Sequence, residues 1–218
     1  MSFPDTRHSA IDGVRSGDDA MRRHSLDTIA NAYWEPVRAY LQVRWRETAD
    51  TAAELTQAFF TKIIQTSVIA SYEPARGLFR TYLRACLDNF VLTARKQSQR
   101  GGAVPLDFDV PGTAEPPDEV FHREWVRRLF WLAVEDLRAS RDEMRFRIFE
   151  RYDLVDSTPR PTYVQLAQEY GVTPETITNY LAAMRRDFRK AVLNRLRELT
   201  ATDREFRSEA RTILGIEV

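Results

Sequence analysis

Glu175, Thr178, Asn179, Ala182, Arg185 and Arg186 share one face of the helical periodicity that begins at Pro174. Their types suit contact with base edges and phosphates. A carboxamide such as Asn179 can pair bidentately with adenine, and a guanidinium such as Arg186 pairs with phosphate oxygens. The opposite face holds Ile177, Leu181, Met184 and Phe188, which would anchor the helix to its own domain. The cations of the chain cluster twice. Between 80 and 100 there are five, Arg80, Arg84, Arg95, Lys96 and Arg100, against the single acid Asp88. Between 184 and 197 there are six, Arg185, Arg186, Arg189, Lys190, Arg195 and Arg197, against Asp187. From 101 to 122 the sign reverses, with five carboxylates and no Lys or Arg. Two basic helical segments around an acidic spacer point to two contacts with a polyanion.

Bond-making chemistry has no comparable constellation. His8, His24 and His122 are far apart in the chain and lack the ligand spacing of a metal site. Cys86 falls on an apolar helical stripe, where a thiol serves as packing. No glycine-rich phosphate loop occurs. The expectation is a protein that is not an enzyme and needs no cofactor. One cysteine allows no intramolecular disulfide and fits a reducing cytosol. The N-terminal residues lack the apolar core of a signal peptide, and no apolar run approaches the roughly 20 residues of a membrane span. A cytoplasmic location without membrane contact is therefore expected. Net charge is silent about partners, since 32 Lys plus Arg balance 32 Asp plus Glu.

The elements that must position these residues are helices. In TYVQLAQEYGVTPETITNYLAAM, residues 162–184, Thr162 and Gln165 form a capping box, and Leu166, Ala167 and Tyr170 face inward. Gly171 supplies a left-handed turn, Val172 fills the corner, Thr173 caps the next helix and Pro174 takes its first position. This is the pattern of a helix-turn-helix, whose second helix enters a major groove. Residues 51–64, TAAELTQAFFTKII, predict another helix, with Thr51 and Glu54 as its capping box and Ala52, Leu55, Phe59, Phe60, Ile63 and Ile64 on its buried half. The outer half, Thr51, Glu54, Gln57, Ala58, Thr61 and Lys62, carries two charges in a chain that is 29% charged. Such a face suits docking better than solvation.

Helical spacing also runs from Asp18 to Glu47, with Pro36 as a break or kink, and from Phe79 to Arg100 through Phe79, Leu83, Cys86, Phe90 and Ala94. It returns from Phe121 to Arg138, with Trp125, Leu129, Phe130 or Trp131, Val134 and Leu137 inward, and again from a Ser140–Glu143 capping box to Tyr152. No segment alternates like a strand. The expected fold class is all-α, with two small helical domains joined by an extended linker. The expected divisions are a flexible tail at 1–17, a first domain at 18–100, an acidic Pro/Gly linker at 101–122, a second domain at 123–199 and a C-terminal helical extension at 200–218.

AAELTQAFFTKII followed by FRTYLRACLDNF resembles region two of bacterial RNA polymerase sigma factors of the extracytoplasmic-function type, and the helix-turn-helix resembles their region four. The resemblance covers residues 20 to 199. It implies a transcription initiation factor with core RNA polymerase and promoter DNA as partners, held through the β′ clamp helices and the β flap. The clamp helices would dock on Glu54, Gln57, Ala58 and Thr61. The loop SYEPARGLF would capture a flipped base of the minus-ten element through Ser71, Tyr72 and Arg76, with Asn89 nearby and Arg80, Arg84, Arg95 and Lys96 on phosphates. Glu175, Thr178, Asn179, Ala182, Arg185 and Arg186 would read the minus-thirty-five element. The linker would run through the polymerase cleft.

The chain departs from that pattern at several positions. Asp88 stands where a base is usual, Thr93 where an acid is typical, Tyr82 where the family more often has Trp, and Thr178 and Tyr180 where basic residues are common. Thr51 and Ala58 stand where acids are common. Thr51 is thus a candidate phosphorylation site that would restore a charge, with Thr48 and Thr56 as alternative acceptors. An anti-sigma factor or a Ser/Thr kinase is the implied regulator. The rival reading is a conventional dimeric helix-turn-helix regulator, which would bind a palindromic duplex site.

Overall fold

The computed structural model describes residues 9–100, 117–139 and 142–216, without the side chains of 98–100 and 117. All regular elements among the described residues are helical. They are α1 (Ala10–Gly13), α2 (Asp19–Arg44), α3 (Ala49–Gln65), α4 (Phe79–Arg100), α5 (Pro117–Arg138), α6 (Glu143–Phe149), α7 (Tyr163–Tyr170), α8 (Pro174–Glu198) and α9 (Asp203–Leu214). The all-α class holds. The chain forms two compact units, one of residues up to Arg128 together with those from Leu196, the other of Leu129–Arg195. The expected boundaries at 100 and 123 and the separate extension at 200–218 therefore do not coincide with the compact units. Linker residues 101–116 lie outside the described residues, as do 1–8 of the expected tail. No described helix is long and apolar enough to cross a membrane.

In the first unit, α2 starts on Asp18, whose carboxylate accepts from Ala20 N at 2.8 Å, and runs through Pro36 without ending. Tyr33 of α2 lies under Phe121 and Trp125 of α5, each with ring centroids 6.2 Å away, and meets Phe79 of α4 edge-on at 5.7 Å. Trp34 stacks on Phe60 of α3 at 5.5 Å. On α4 the fully buried stripe is Phe79, Leu83, Leu87 and Val91, while Cys86, Phe90 and Ala94 are only half-buried. Burial nonetheless pushes the Cys86 thiol above its ordinary pKa.

Residues 9–17 are not a loose tail. Ser9 caps α1, and Ile11 is 0% exposed beneath it. α1 also approaches α2 so closely that a Cβ at Gly13 would lie 2.1 Å from Ser25 Oγ. Arg15 then donates to Ala70 O at 3.1 Å and to Tyr72 O, strapping the N-terminal segment across the 69–72 turn. Likewise residues 117–122, read as the end of a linker, are the first turn and a half of α5, with Val120 and Phe121 buried. Pro117 sits at the start, where its missing N–H costs nothing, and Asp118 and Glu119 complement the helix N-terminus.

The cap of α3 is Thr48, not Thr51. Thr48 Oγ1 accepts from Thr51 N at 3.2 Å and donates to Thr51 Oγ1 at 3.0 Å, while Glu54 is exposed. Both threonines have an N–H donor three residues on, and the extended backbone at Thr48 settles which one caps. Thr48→Ala should cost about 1 kcal/mol of stability, read as a lower urea midpoint at unchanged m-value. Thr51→Ala, which leaves the cap bond in place, should cost less.

In the second unit, Val134, Leu137, Phe146, Ile148, Phe149, Leu166, Ala167, Ile177, Leu181 and Met184 form one buried cluster. Trp131, a candidate for the inward face, is instead 50% exposed, and Phe130 packs edge-on to Phe188 at 5.7 Å. α6 is capped by Asp142, which accepts from Arg145 N at 3.2 Å, and Glu143 is its first helical residue; Ser140, the other member of the expected capping box, lies outside the described residues. A π-helical turn, Glu150–Leu154, carries the chain out of α6.

Candidate nucleic-acid interface

The turn that presents α8 is built as its sequence requires. Thr162 N donates to Gln165 Oε1 at 2.8 Å while Gln165 N donates to Thr162 Oγ1 at 3.2 Å, closing the capping box of α7. Gly171 takes φ 66°, ψ 34°, the left-handed conformation that disfavours any residue with a Cβ. Val172 N returns to Ala167 O at 3.0 Å. Thr173 Oγ1 then accepts from Thr176 N at 3.2 Å, and Pro174 opens α8. Ile177, Leu181 and Met184 bury one face of α8, leaving Glu175, Thr178, Asn179 and Arg186 exposed on the other and Ala182 half-buried at its margin. Asn179 and Arg186 have no partner among the described residues. They are available to a ligand.

Arg185 is not. Its Nε and Nη2 donate to the two carboxylate oxygens of Asp153 at 2.8 and 2.9 Å. This fork-to-fork pair, then burial against it, leaves the guanidinium pKa raised above its ordinary value. Arg185 therefore braces α8 against the π-turn while its side chain keeps 46% exposure.

The candidate minus-ten residues fare unequally. Ser71, Arg76, Asn89 and Lys96 are exposed, Ser71 with its Oγ on Ser67 O and Arg76 in a surface pair with Glu73. Tyr72 is 2% exposed, so it cannot stack on a flipped base in this conformation. Its ring meets Phe79 edge-on at 5.2 Å and its hydroxyl donates to Gly77 O at 2.6 Å. Burial, then the nearby Glu205 carboxylate, pushes that hydroxyl pKa well up. Tyr82, half-buried, donates to Val68 O at 2.7 Å. Both tyrosines pack the loop onto its own unit.

Three of the four candidate phosphate cations on α4 are engaged within the unit. Arg80 Nε donates to Glu209 Oε1 at 2.6 Å, and its guanidinium lies 5.7 Å from the centre of the Trp125 ring. Arg84 pairs with Asp118. Arg95 donates to Trp45 O at 3.1 Å and to Glu47, and its guanidinium sits over the Trp45 ring at 4.8 Å. Asp88, the acid that broke the basic run, is structural: both Tyr40 Oη and Trp45 Nε1 donate to it at 3.1 Å. The acid therefore holds the end of α2 against α4.

On α3, Glu54, Gln57, Ala58 and Thr61 are all exposed along one face, and Ile64, expected inside, joins them at 54% exposure. Among the three candidate phosphoacceptors, Thr56 is fully buried with its hydroxyl on Ala52 O, Thr51 is half-buried and Thr48 is exposed. Among the described residues no cluster of three His, Cys, Asp or Glu side chains is placed to hold a metal.

Two residues that sequence reasoning passed over are central to the first unit. Glu205 and Glu209 of α9 are buried carboxylates one turn apart. Glu205 Oε1 accepts from Phe79 N, the first N–H of α4, at 2.7 Å, and its Oε2 accepts from Ala201 N at 2.9 Å. Burial raises its pKa, and the two backbone donors pull against that. The signal available beforehand was the i, i+4 pair of acids beside Phe206 and Ala210 on an apolar stripe. Compared with known proteins, the chain matches no family model, no curated protein and no solved structure.

Proposed function

We propose that the protein is a sigma-type transcription initiation factor, which binds core RNA polymerase and directs it to promoter DNA. The observation that carries the reading is the face of α8: Glu175, Thr178, Asn179 and Arg186 stand exposed along a helix introduced by a capped, glycine-turned helix-turn-helix. Support comes from α3, whose exposed Glu54, Gln57, Ala58 and Thr61 form a nearly uncharged strip suited to a helical partner such as the β′ clamp helices. Asn89 and Lys96 on α4 remain open for a second DNA contact. Run-off transcription with purified core polymerase on a promoter library is the test. Failure to yield any promoter-dependent transcript would overturn the reading.

One observation favours the rival, a dimeric regulator of duplex DNA: Arg80, Arg84 and Arg95 are all paired internally. Capture of core polymerase by the tagged protein separates the two. A regulator would instead protect a palindromic duplex site and leave polymerase behind.

Within this reading the two open side chains of α8 should differ. Asn179→Ala should cost about 1–3 kcal/mol on the preferred upstream sequence and little on others, because a base-edge contact carries sequence information. Arg186→Ala should weaken binding to all sequences alike and reduce the slope of log affinity against log salt by about 1. Uniform loss in both, measured by fluorescence anisotropy, would assign the reading face elsewhere.

A further inference from the structure

We infer that α9 is a removable anionic plug over the strand-binding surface of the first unit, and that Glu205 and Glu209 occupy the places that phosphates of single-stranded DNA would take. The inference rests on the sigma-type reading and adds its regulation. The first turn of α4 is a helix N-terminus with an Arg in it, a combination that attracts anions. Its Phe79 N–H and Arg80 side chain are both aimed at carboxylates of α9, at 2.7 and 2.6 Å. Tyr72 Oη lies 3.4 Å from Glu205 Oε1. A turn further along α4, Arg84 is likewise taken by an acid, Asp118. Arg80 and Arg84 stand about 6 Å apart along the helix axis, on the track that would follow a strand.

A second observation marks the contact as imperfectly satisfied. Glu209 is 2% exposed, yet its Oε2 has no hydrogen-bond partner among the described residues. A purely structural contact would more naturally use an apolar side chain here, because a buried carboxylate loses its hydration. α9 is capped at both ends. Thr202 caps it by accepting from Glu205 N at 3.2 Å, Gly215 ends it at φ 63°, Phe206 and Ala210 are buried, and the Arg197 guanidinium lies over the Phe206 ring. Its outer face carries exposed Arg204, Arg207 and Arg211. Undocking would uncover Arg80 and the α4 N-terminus together and restore water to both glutamates.

The test uses the full chain in two measurements. Glu205→Gln/Glu209→Gln keeps size and removes both charges, so its affinity for a short single-stranded oligonucleotide at low salt should exceed that of the wild type at least several-fold, with a steeper salt dependence. In the wild type, amide exchange over 203–214 should accelerate when the oligonucleotide is added at saturation. An unchanged or lowered affinity in the double variant overturns the plug, as does strand binding that leaves α9 exchange unchanged, or absence of strand binding in both forms. The transcription assay distinguishes the two levels. Wild-type transcripts with no gain in the variant sink the plug alone, whereas a gain without transcripts sinks the sigma-type reading and leaves an occluded strand-binding surface.

Discussion

Trp125→Ala is expected to lower the unfolding free energy by about 3–5 kcal/mol, the largest effect of any single truncation in the first unit. The indole is 1% exposed, stacks on Tyr33, carries the Arg80 guanidinium on its face and has its ring centroid 6.0 Å from that of His122. Removing it opens a void that α2, α4 and α5 would all have to collapse to fill. Thermal denaturation should show a fall of roughly 10 °C. Trp125→Phe should cost less than half as much, because the ring contact with Tyr33 survives and the indole N–H, which has no partner among the described residues, is removed with its desolvation cost. If Phe and Ala variants melt together, the indole is not packed as described.

Arg80→Ala is expected to cost roughly 2–3 kcal/mol, below the 3–5 typical of a wholly buried pair, because the Arg80 side chain keeps 22% exposure while Glu209 keeps 2%. The loss arises less from the missing attraction than from stranding the Glu209 carboxylate. Two consequences distinguish this account from simple loss of packing. Arg80→Ala/Glu209→Gln should recover part of the stability, since the stranded charge is gone. Arg80→Lys should fall between, as a point charge cannot retain the stacked position over Trp125. Urea denaturation of the wild type, Arg80→Ala, Glu209→Gln and the double variant completes a double-mutant cycle, and strictly additive losses would show that the two side chains do not interact.

The parts of the molecule legible from the sequence are those in which neighbouring residues decide the outcome. The α7–α8 turn is the clearest. Its cap pair Thr162 and Gln165, the left-handed Gly171 and the N-terminal Pro174 each act within about four residues, and all appear where expected. The exposed strip Glu54, Gln57, Ala58 and Thr61 was equally readable from a 3.6-residue period. Local rules become ambiguous where two residues satisfy them, and so Thr48 rather than Thr51 caps α3. They also drift along a helix: the apolar stripe of α4 passes through Leu87 and Val91 and not Cys86, Phe90 and Ala94, because the neighbouring helices choose which side is covered.

Tertiary structure alone decided which cations are available. Arg80 and Arg186 carry the same charge and lie in comparable basic runs. Yet Arg80 meets an acid 129 residues away, Arg95 one 48 residues away and Arg185 one 32 residues away, while Arg186 meets none among the described residues. The same holds for Tyr72, a plausible loop contact by type, which folding places against Phe79 with Arg15 on its backbone and Glu205 beside its hydroxyl. Helix propensity, capping and period are short-range and written in consecutive residues. Burial and ion pairing depend on which distant segments the folded chain brings within a few ångströms, and no local pattern carries that distance.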